Sequence, residues 1–124
     1  MKDLTKAEEQ VMMILWQLDN AYVRDIVEKF SEPKPAYNTV STIIRILEKK
    51  GFVSHIAYGN THEYYALITK DDYRKFSLKN LVNNYFSNSY NQLVSFFAEK
   101  ENFSLQDLEE LKKQIDDYIS NKQR

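Results

Sequence analysis

Hydrophobic positions recur along the chain with two different periods, and the first part follows the helical one. Residues 6–18, 23–30 and 36–51 carry apolar side chains three and four positions apart, which is the spacing of one face of an α-helix. Thr5 and Glu8 match a capping box, so the first helix is expected to begin directly after Thr5. The sequence therefore predicts three short helices in this region.

The period changes to two after Gly51, which the sequence predicts as the left-handed cap of the third helix. Residues 52–58 and 61–67 are rich in the valine, isoleucine, threonine and tyrosine that strands favour. Gly59 and Asn60, which separate them, suit a two-residue type II′ turn. Three helices closed by a β-hairpin make a winged helix, in which the third helix reads DNA and the hairpin lies beside it.

The third helix has one aliphatic side and one polar side. Val40, Ile44 and Leu47 form the aliphatic side, which we expect to be buried. On the opposite side, arginine and asparagine can form bidentate bonds with base edges, while lysines and hydroxyls hold phosphates. The alternative is an ordinary amphipathic surface helix. The predicted base-reading residues are Asn38, Thr42 and Arg45, and the predicted phosphate contacts are Thr39, Ser41, Lys49 and Lys50.

The hairpin adds a predicted wing contact. Tyr58, Asn60 and His62 lie in or beside the turn, where they can touch the sugar-phosphate backbone. With a two-residue turn, His62 stands opposite Ala57, and His55 is its diagonal neighbour on the same face. Two imidazoles without a third ligand make a weak zinc site, so we expect no metal and no cofactor.

Composition and charge narrow the function. The 124 residues contain no cysteine, which excludes disulfides and thiolate metal sites. The net charge of −1 argues against a protein that coats DNA, but residues 34–58 carry four cations and one acid, a local charge of +3 that suits a specific site. The sequence shows no signal peptide, membrane span, phosphate loop or catalytic triad. We therefore expect a cytoplasmic protein that is not an enzyme.

Helical spacing returns in residues 70–124, where three more helices are predicted, the first and third capped by Thr69 and Ser104. Three short helices bury their wide apolar faces poorly unless a second copy covers them. The alternative is a monomer in which they fold back on residues 1–69. The predicted fold is mainly α with a small β-hairpin, with a DNA-binding domain at 1–69 and a dimerisation domain at 70–124. The predicted dimer contacts are Leu81, Tyr85, Leu93, Phe97, Leu108, Leu111, Ile115 and Tyr118.

Several segments together carry a family resemblance. They are LTKAEEQVMMILW at residues 4–16, VRDI at 23–26, TVST at 39–42, LEKKGFV at 47–53 and DLEEL at 107–111. In this combination the chain resembles the BlaI/MecI/CopY family, the penicillinase-repressor type of bacterial regulator. The resemblance implies a homodimeric repressor with an N-terminal winged helix-turn-helix and a C-terminal three-helix dimerisation region. It also implies binding to palindromic double-stranded operators with half-sites similar to TACA and TGTA.

The resemblance further implies how such a repressor is released from DNA. In the β-lactam branch, a membrane sensor with a zinc-protease domain triggers cleavage of an Asn-Phe bond in the middle tail helix. The equivalent position here is Ser95-Phe96, and an alternative bond, Asn102-Phe103, lies seven residues later between two predicted helices. Ile46 stands where the family often has arginine, which bears on the half-site preference. The copper branch carries C-terminal cysteines, and this chain has none.

The predicted function is sequence-specific transcriptional repression by a homodimer. Two alternatives stay open. In the first, the same helix binds a partner protein instead of DNA. In the second, a small molecule binds between the tail helices and controls the regulator.

Overall fold

The computed structural model describes residues 1–100 and 103–123, which contain six helices and three short strands. The chain forms two compact units, Met1–Lys79 and Asn80–Arg124. Helix α4 (Lys70–Tyr85) runs across this division. The predicted boundary between the DNA-binding domain and the dimerisation domain, between residues 69 and 70, lies at the start of the same helix. The mainly helical fold with a small antiparallel sheet confirms the predicted class.

Helix α1 (Lys6–Leu18) begins at its capping box. Thr5 Oγ1 accepts the backbone N–H of Glu8 at 3.2 Å, and the Glu8 carboxylate accepts the N–H of Thr5 at 2.8 Å. These bonds satisfy backbone donors that the start of a helix otherwise leaves unpaired. Asp19, with a φ of +66°, ends the helix and leads into the two-residue strand β1 (Asn20–Ala21).

The second and third predicted helices are present, and the third ends in a Schellman motif. The N–H groups of Gly51 and Phe52 bond to the carbonyls of Glu48 and Leu47 at 3.0 and 2.9 Å. The motif needs a left-handed residue, and Gly51 has a φ of +84°. This turn carries the chain directly from the third helix into the sheet. The helix bounds are Val23–Lys29 for α2 and Tyr37–Lys49 for α3.

The hairpin belongs to a three-stranded sheet. Strands β2 (Val53–Tyr58) and β3 (Thr61–Ala66) pair antiparallel, with Ala57 opposite His62 as predicted. Gly59, with a φ of +64°, begins the two-residue turn. Strand β1, which the sequence did not predict, pairs with the other edge of β3 and gives the order β1-β3-β2. A strand of two residues is too short to show an alternating pattern, so the sequence carried no sign of it.

The core of the first unit lies between α1, α2, α3 and the sheet. Helix α3 contributes Val40, Ile44 and Leu47, all fully buried as predicted. Trp16 is partly buried, and its indole N–H donates to the carbonyl of Ile68 at 2.9 Å. Because its aliphatic side is fixed in the core, α3 holds its polar side toward solvent. The other core residues are Val11, Met12, Leu15, Ala21, Val23, Ile26, Phe52, Val53, Tyr64 and Tyr73.

Three tail helices follow, as predicted: α4, α5 (Tyr90–Lys100) and α6 (Leu105–Lys122). Thr69 Oγ1 accepts a backbone N–H of the first turn of α4 at 3.0 Å. Ser104 forms a capping box with Asp107 at the start of α6. Neither α5 nor α6 buries any of its described residues. In a single copy, the apolar faces of these two helices therefore stay open.

A buried carboxylate joins α1 to the end of α3. Glu8 is 4% exposed, and the Lys50 ammonium lies 2.7 Å from its Oε1. Burial alone raises the pKa of the Glu8 carboxyl. Hydrogen bonds from Lys50 and from the Thr5 N–H outweigh burial and bring this pKa below its ordinary value of 4.5. The folded protein therefore favours the ionised carboxylate.

We expect the free energy of unfolding to fall as the pH drops below about 4.5, because the unfolded chain then binds a proton that folded Glu8 resists. This contribution is complete above that pH and is lost as the pH falls through the folded pKa. Glu8→Gln should lower the free energy of unfolding at pH 7 by about 1–3 kcal/mol, measured by urea unfolding. The same variant should lose less stability than the wild-type protein when the pH is lowered below 4.5. Glu9→Gln, in the same turn, is the matched control. An equal loss from both variants would contradict the role of the Lys50 pair.

Candidate nucleic-acid interface

The polar side of α3 and the wing, meaning β2, β3 and their turn, together present most of the predicted DNA contacts to solvent. The helix supplies amide, hydroxyl and guanidinium groups, and the wing supplies an aromatic ring, an amide and an imidazole. The exposed members are Asn38, Thr39, Thr42, Arg45 and Lys49 on α3 and Tyr58, Asn60 and His62 on the wing, whereas Ser41 and Lys50 are half-buried.

Arg45 is oriented by the residue one turn earlier. Its Nε donates to the Ser41 carbonyl at 3.3 Å, and its Nη2 donates to Ser41 Oγ at 3.1 Å. Thr42 Oγ1 donates to the Asn38 carbonyl at 2.9 Å. Because a guanidinium has five N–H donors, these two bonds leave Arg45 with donors for a bidentate contact. The side chain is therefore both positioned and available.

A groove of about 480 Å³ lies between α3 and the wing. Arg45 lines the helix side, and Asn60 and His62 line the wing side. Arg24 of α2 also lines this groove, with its guanidinium carbon 5.8 Å from the centre of the Tyr22 ring. None of the described residues that line the groove is acidic. Arg24 is not among the residues predicted from the sequence, although a basic residue in the first turn of the middle helix is a signal that indicates it.

The lysines around α3 divide into paired and unpaired ones. Lys50 pairs with Glu8, and Lys34 lies 3.6 Å from the Glu28 carboxylate. Lys49 forms no ion pair with any residue that the structure describes. Its ammonium is therefore not held by an acidic side chain of this part of the protein, and its contact with a phosphate stays a prediction. Lys50 is not available to a phosphate, because its ammonium is held by a buried carboxylate, and we leave it out of the interface.

Glu48 and two histidines form a second contact between α3 and the wing. His55 Nδ1 lies 2.8 and 3.1 Å from the two Glu48 carboxylate oxygens. The rings of His55 and His62 stack with a centroid distance of 4.2 Å and an interplanar angle of 12°. Tyr64 lies beside both rings, and its burial, together with the Glu48 charge, raises its pKa above 10. Among the described residues, no three metal-binding side chains come together as a site.

The residues predicted for dimerisation lie on α4, α5 and α6, and seven of the eight are exposed. Leu111 and Ile115, one turn apart on α6, are 40% and 47% exposed. Tyr85 and Tyr118 are 76% and 71% exposed. Exposed apolar side chains at helical spacing mark a surface that another chain can cover. The remaining members are Leu81, Phe97 and Leu108, which are exposed, and Leu93, which is half-buried.

The predicted cleavage position lies inside a helix. Ser95 and Phe96 belong to α5, and the ring centroid of Phe96 lies 5.7 Å from that of Phe86. Because proteases act on locally opened chain, cutting this bond requires α5 to unfold locally. Asn102, of the alternative bond, lies outside the described residues.

Comparison with known proteins gives a consistent result. The family model named penicillinase repressor matches residues 4–117. The methicillin resistance regulatory protein MecI of Staphylococcus aureus is 32% identical over 111 residues, which cover 89% of this chain and 90% of that protein. The penicillinase repressor of Staphylococcus aureus is 28% identical, covering 93% of this chain and 92% of its own. The penicillinase repressor of Bacillus licheniformis is 22% identical over a stretch that covers 96% of this chain and 94% of that protein.

Three helices followed by a wing, with the polar side of α3 open to solvent, define the winged helix-turn-helix class. The family match extends over most of the chain, and the chain therefore belongs to the penicillinase repressor family. This is a family of transcriptional repressors and not of enzymes, which confirms the prediction of a transcriptional repressor and the prediction that the chain is not an enzyme. Within residues 1–100 and 103–123, every helix is too short or too polar to span a bilayer.

Proposed function

We propose that this repressor binds a palindromic operator as a homodimer, with one α3 in the major groove of each half-site. The observation that carries the proposal is the exposed side of α3, which presents Asn38, Thr42 and Arg45 on a helix fixed by its buried aliphatic side. Asparagine suits adenine and arginine suits guanine in the major groove. Phosphate contacts come from Thr39, Ser41 and Lys49 on the helix and from Tyr58, Asn60 and His62 on the wing.

The homodimer is supported by the open apolar faces of α5 and α6. Exposed leucine, isoleucine and aromatic side chains on these helices lose unfavourable contact with water when a second copy covers them. A two-fold dimer also matches the symmetry of a palindrome, because its two α3 helices can reach two half-sites about one helical turn or more apart.

An electrophoretic mobility shift assay tests the proposal. The probe is a duplex with TACA and TGTA half-sites in palindromic arrangement, and the control is a scrambled duplex of the same composition. We expect two chains per duplex and retention of the palindrome at salt concentrations that release the scrambled duplex. Because Ile46 bears on half-site preference, duplexes selected from a random library serve as a second probe. Equal affinity for selected and scrambled duplexes would contradict sequence-specific binding. Capture of a protein partner without any duplex binding would favour the interaction module.

Lys49→Ala should weaken binding to all duplexes by a similar factor, because a lysine on phosphate carries no sequence information. The slope of log Kd against log salt should become shallower by about one unit, measured by fluorescence anisotropy. Lys113→Ala removes the same charge from α6 and is the control. A loss confined to the operator sequence would assign Lys49 to base reading instead.

We also propose that the repressor is released from its operator by proteolysis, which a membrane zinc-protease sensor triggers. The resemblance to the β-lactam branch of the family implies this route, and Ser95-Phe96 stands at the position equivalent to the cleaved Asn-Phe bond. Co-expression with such a sensor under induction should produce two fragments whose termini place the cut. An intact repressor during full induction would argue against this route. A ligand-induced rise in melting temperature without cleavage would favour a ligand-gated regulator.

A further inference from the structure

We propose that Glu48 holds His55 and, through it, His62 in place on the wing, and that operator binding takes up a proton at His62. The inference rests on the proposed operator binding and deepens it by assigning a positioning residue and a pH dependence to the same site. It starts from three contacts that connect α3 to both strands of the wing.

Glu48 is the positioning residue in this arrangement. Its two carboxylate oxygens lie 2.8 and 3.1 Å from His55 Nδ1, so that nitrogen carries the proton of the hydrogen bond. The bond fixes the ring of His55, and the ring of His62 stacks on it at 4.2 Å. His62 is exposed and lines the groove between α3 and the wing. A charge on Glu48 therefore acts on the exposed imidazole through the ring between them.

The charged groups around the histidines decide when they bind a second proton. From α3, Arg45 and Lys49 line the same pocket as both imidazoles, with Glu48 as the one acidic residue among those that line it. From β3, Tyr64 faces the rings, and its raised pKa keeps its hydroxyl neutral near pH 7. From α2, Arg24 lines the adjoining groove with His62. In the free protein, three cations and one carboxylate therefore surround the two rings.

DNA adds negative charge to this site. Phosphates that approach Arg45, Lys49 and the wing bring negative charge close to the histidine pair, and negative charge favours the imidazolium. Histidine is the side chain whose charge ordinarily changes near pH 6.5, so nearby phosphates can change its charge at close to neutral pH. Binding that favours the protonated form must itself become tighter as the pH falls, because the linkage is reciprocal.

The test measures operator affinity from pH 7.5 to pH 6.0 at constant ionic strength. The Kd of the wild-type protein for the selected duplex should fall by about three- to tenfold over this range. His62→Gln keeps a hydrogen-bonding group but cannot gain the charge, so its Kd should stay level. His62→Lys carries a permanent charge, so its Kd should also stay level, at a value close to that of the wild-type protein at pH 6.0.

Proton NMR provides a readout that a purely structural role would not move. The chain has two histidines, so His62→Gln assigns both imidazole signals. We expect the titration midpoint of His62 to rise when the selected duplex is added, and Glu48→Gln to lower it in the free protein. Operator binding with a level wild-type profile and an unmoved His62 midpoint would overturn this inference and leave the proposed function standing. Failure to bind any selected duplex at every pH would overturn both.

Discussion

Replacing Leu111 by aspartate should convert the protein to a monomer and lower its affinity for a palindromic operator by roughly a hundredfold or more, because a dimer engages two half-sites through one scaffold. Leu111 shares one side of α6 with Leu108 and Ile115, three and four positions away. All three are 40 to 47% exposed in a single copy. A carboxylate in the middle of that face would have to leave water on association without a partner charge.

Two controls separate loss of the dimer from loss of the fold. Gln106→Asp makes the same charge change on the opposite side of α6 and should remain dimeric by sedimentation analysis. The Leu111→Asp protein should keep its weak affinity for a duplex with a single half-site, because α3 and the wing belong to the other compact unit. A Leu111→Asp protein that stays dimeric, or a wild-type protein that is monomeric at micromolar concentration, would remove the homodimer from the proposal.

Local signals account for what the sequence predicted well. The capping box of α1, the glycine after α3 and the two-residue turn of the wing each act within a few residues, and each was found where the pattern placed it. The aliphatic side of α3 is also a local pattern, because helical spacing alone brings Val40, Ile44 and Leu47 together. Identifying that side fixes which residues lie opposite, and those residues make up most of the candidate interface.

Contacts between distant parts of the chain could not be predicted in the same way. Lys50 belongs by position to the cationic end of α3, but its ammonium meets a carboxylate 42 residues earlier, and this contact appears only when α1 packs against α3. Strand β1 exists because the chain leaving α1 meets the free edge of β3. Arg24 joins the groove through the packing of α2. Each of these contacts forms only when distant segments pack together, and a local sequence pattern carries no information about that packing.

The second large effect is expected at Arg45. Replacing it by alanine should cost about 1–3 kcal/mol of binding free energy on the operator, which is roughly a five- to 150-fold rise in Kd, if it bonds a guanine through two N–H groups. The same variant should bind scrambled duplexes almost as the wild-type protein does, apart from the loss of one charge. Arg74→Ala is the matched control, because Arg74 lies on α4 with its Nη1 3.4 Å from the Asp71 carboxylate.

Arg45→Lys distinguishes base reading from simple charge. Lysine keeps the positive charge but lacks the planar pair of donors. The Arg45→Lys protein should therefore bind scrambled DNA like the wild-type protein, while its affinity for the operator should stay nearly as low as that of the alanine variant. Substituting each base pair of a half-site in turn should then show one position at which the wild-type protein discriminates and the alanine variant does not. If the lysine variant binds the operator like the wild-type protein, Arg45 contacts phosphate. Sequence reading would then fall to Asn38 and Thr42, the two residues that share its side of α3.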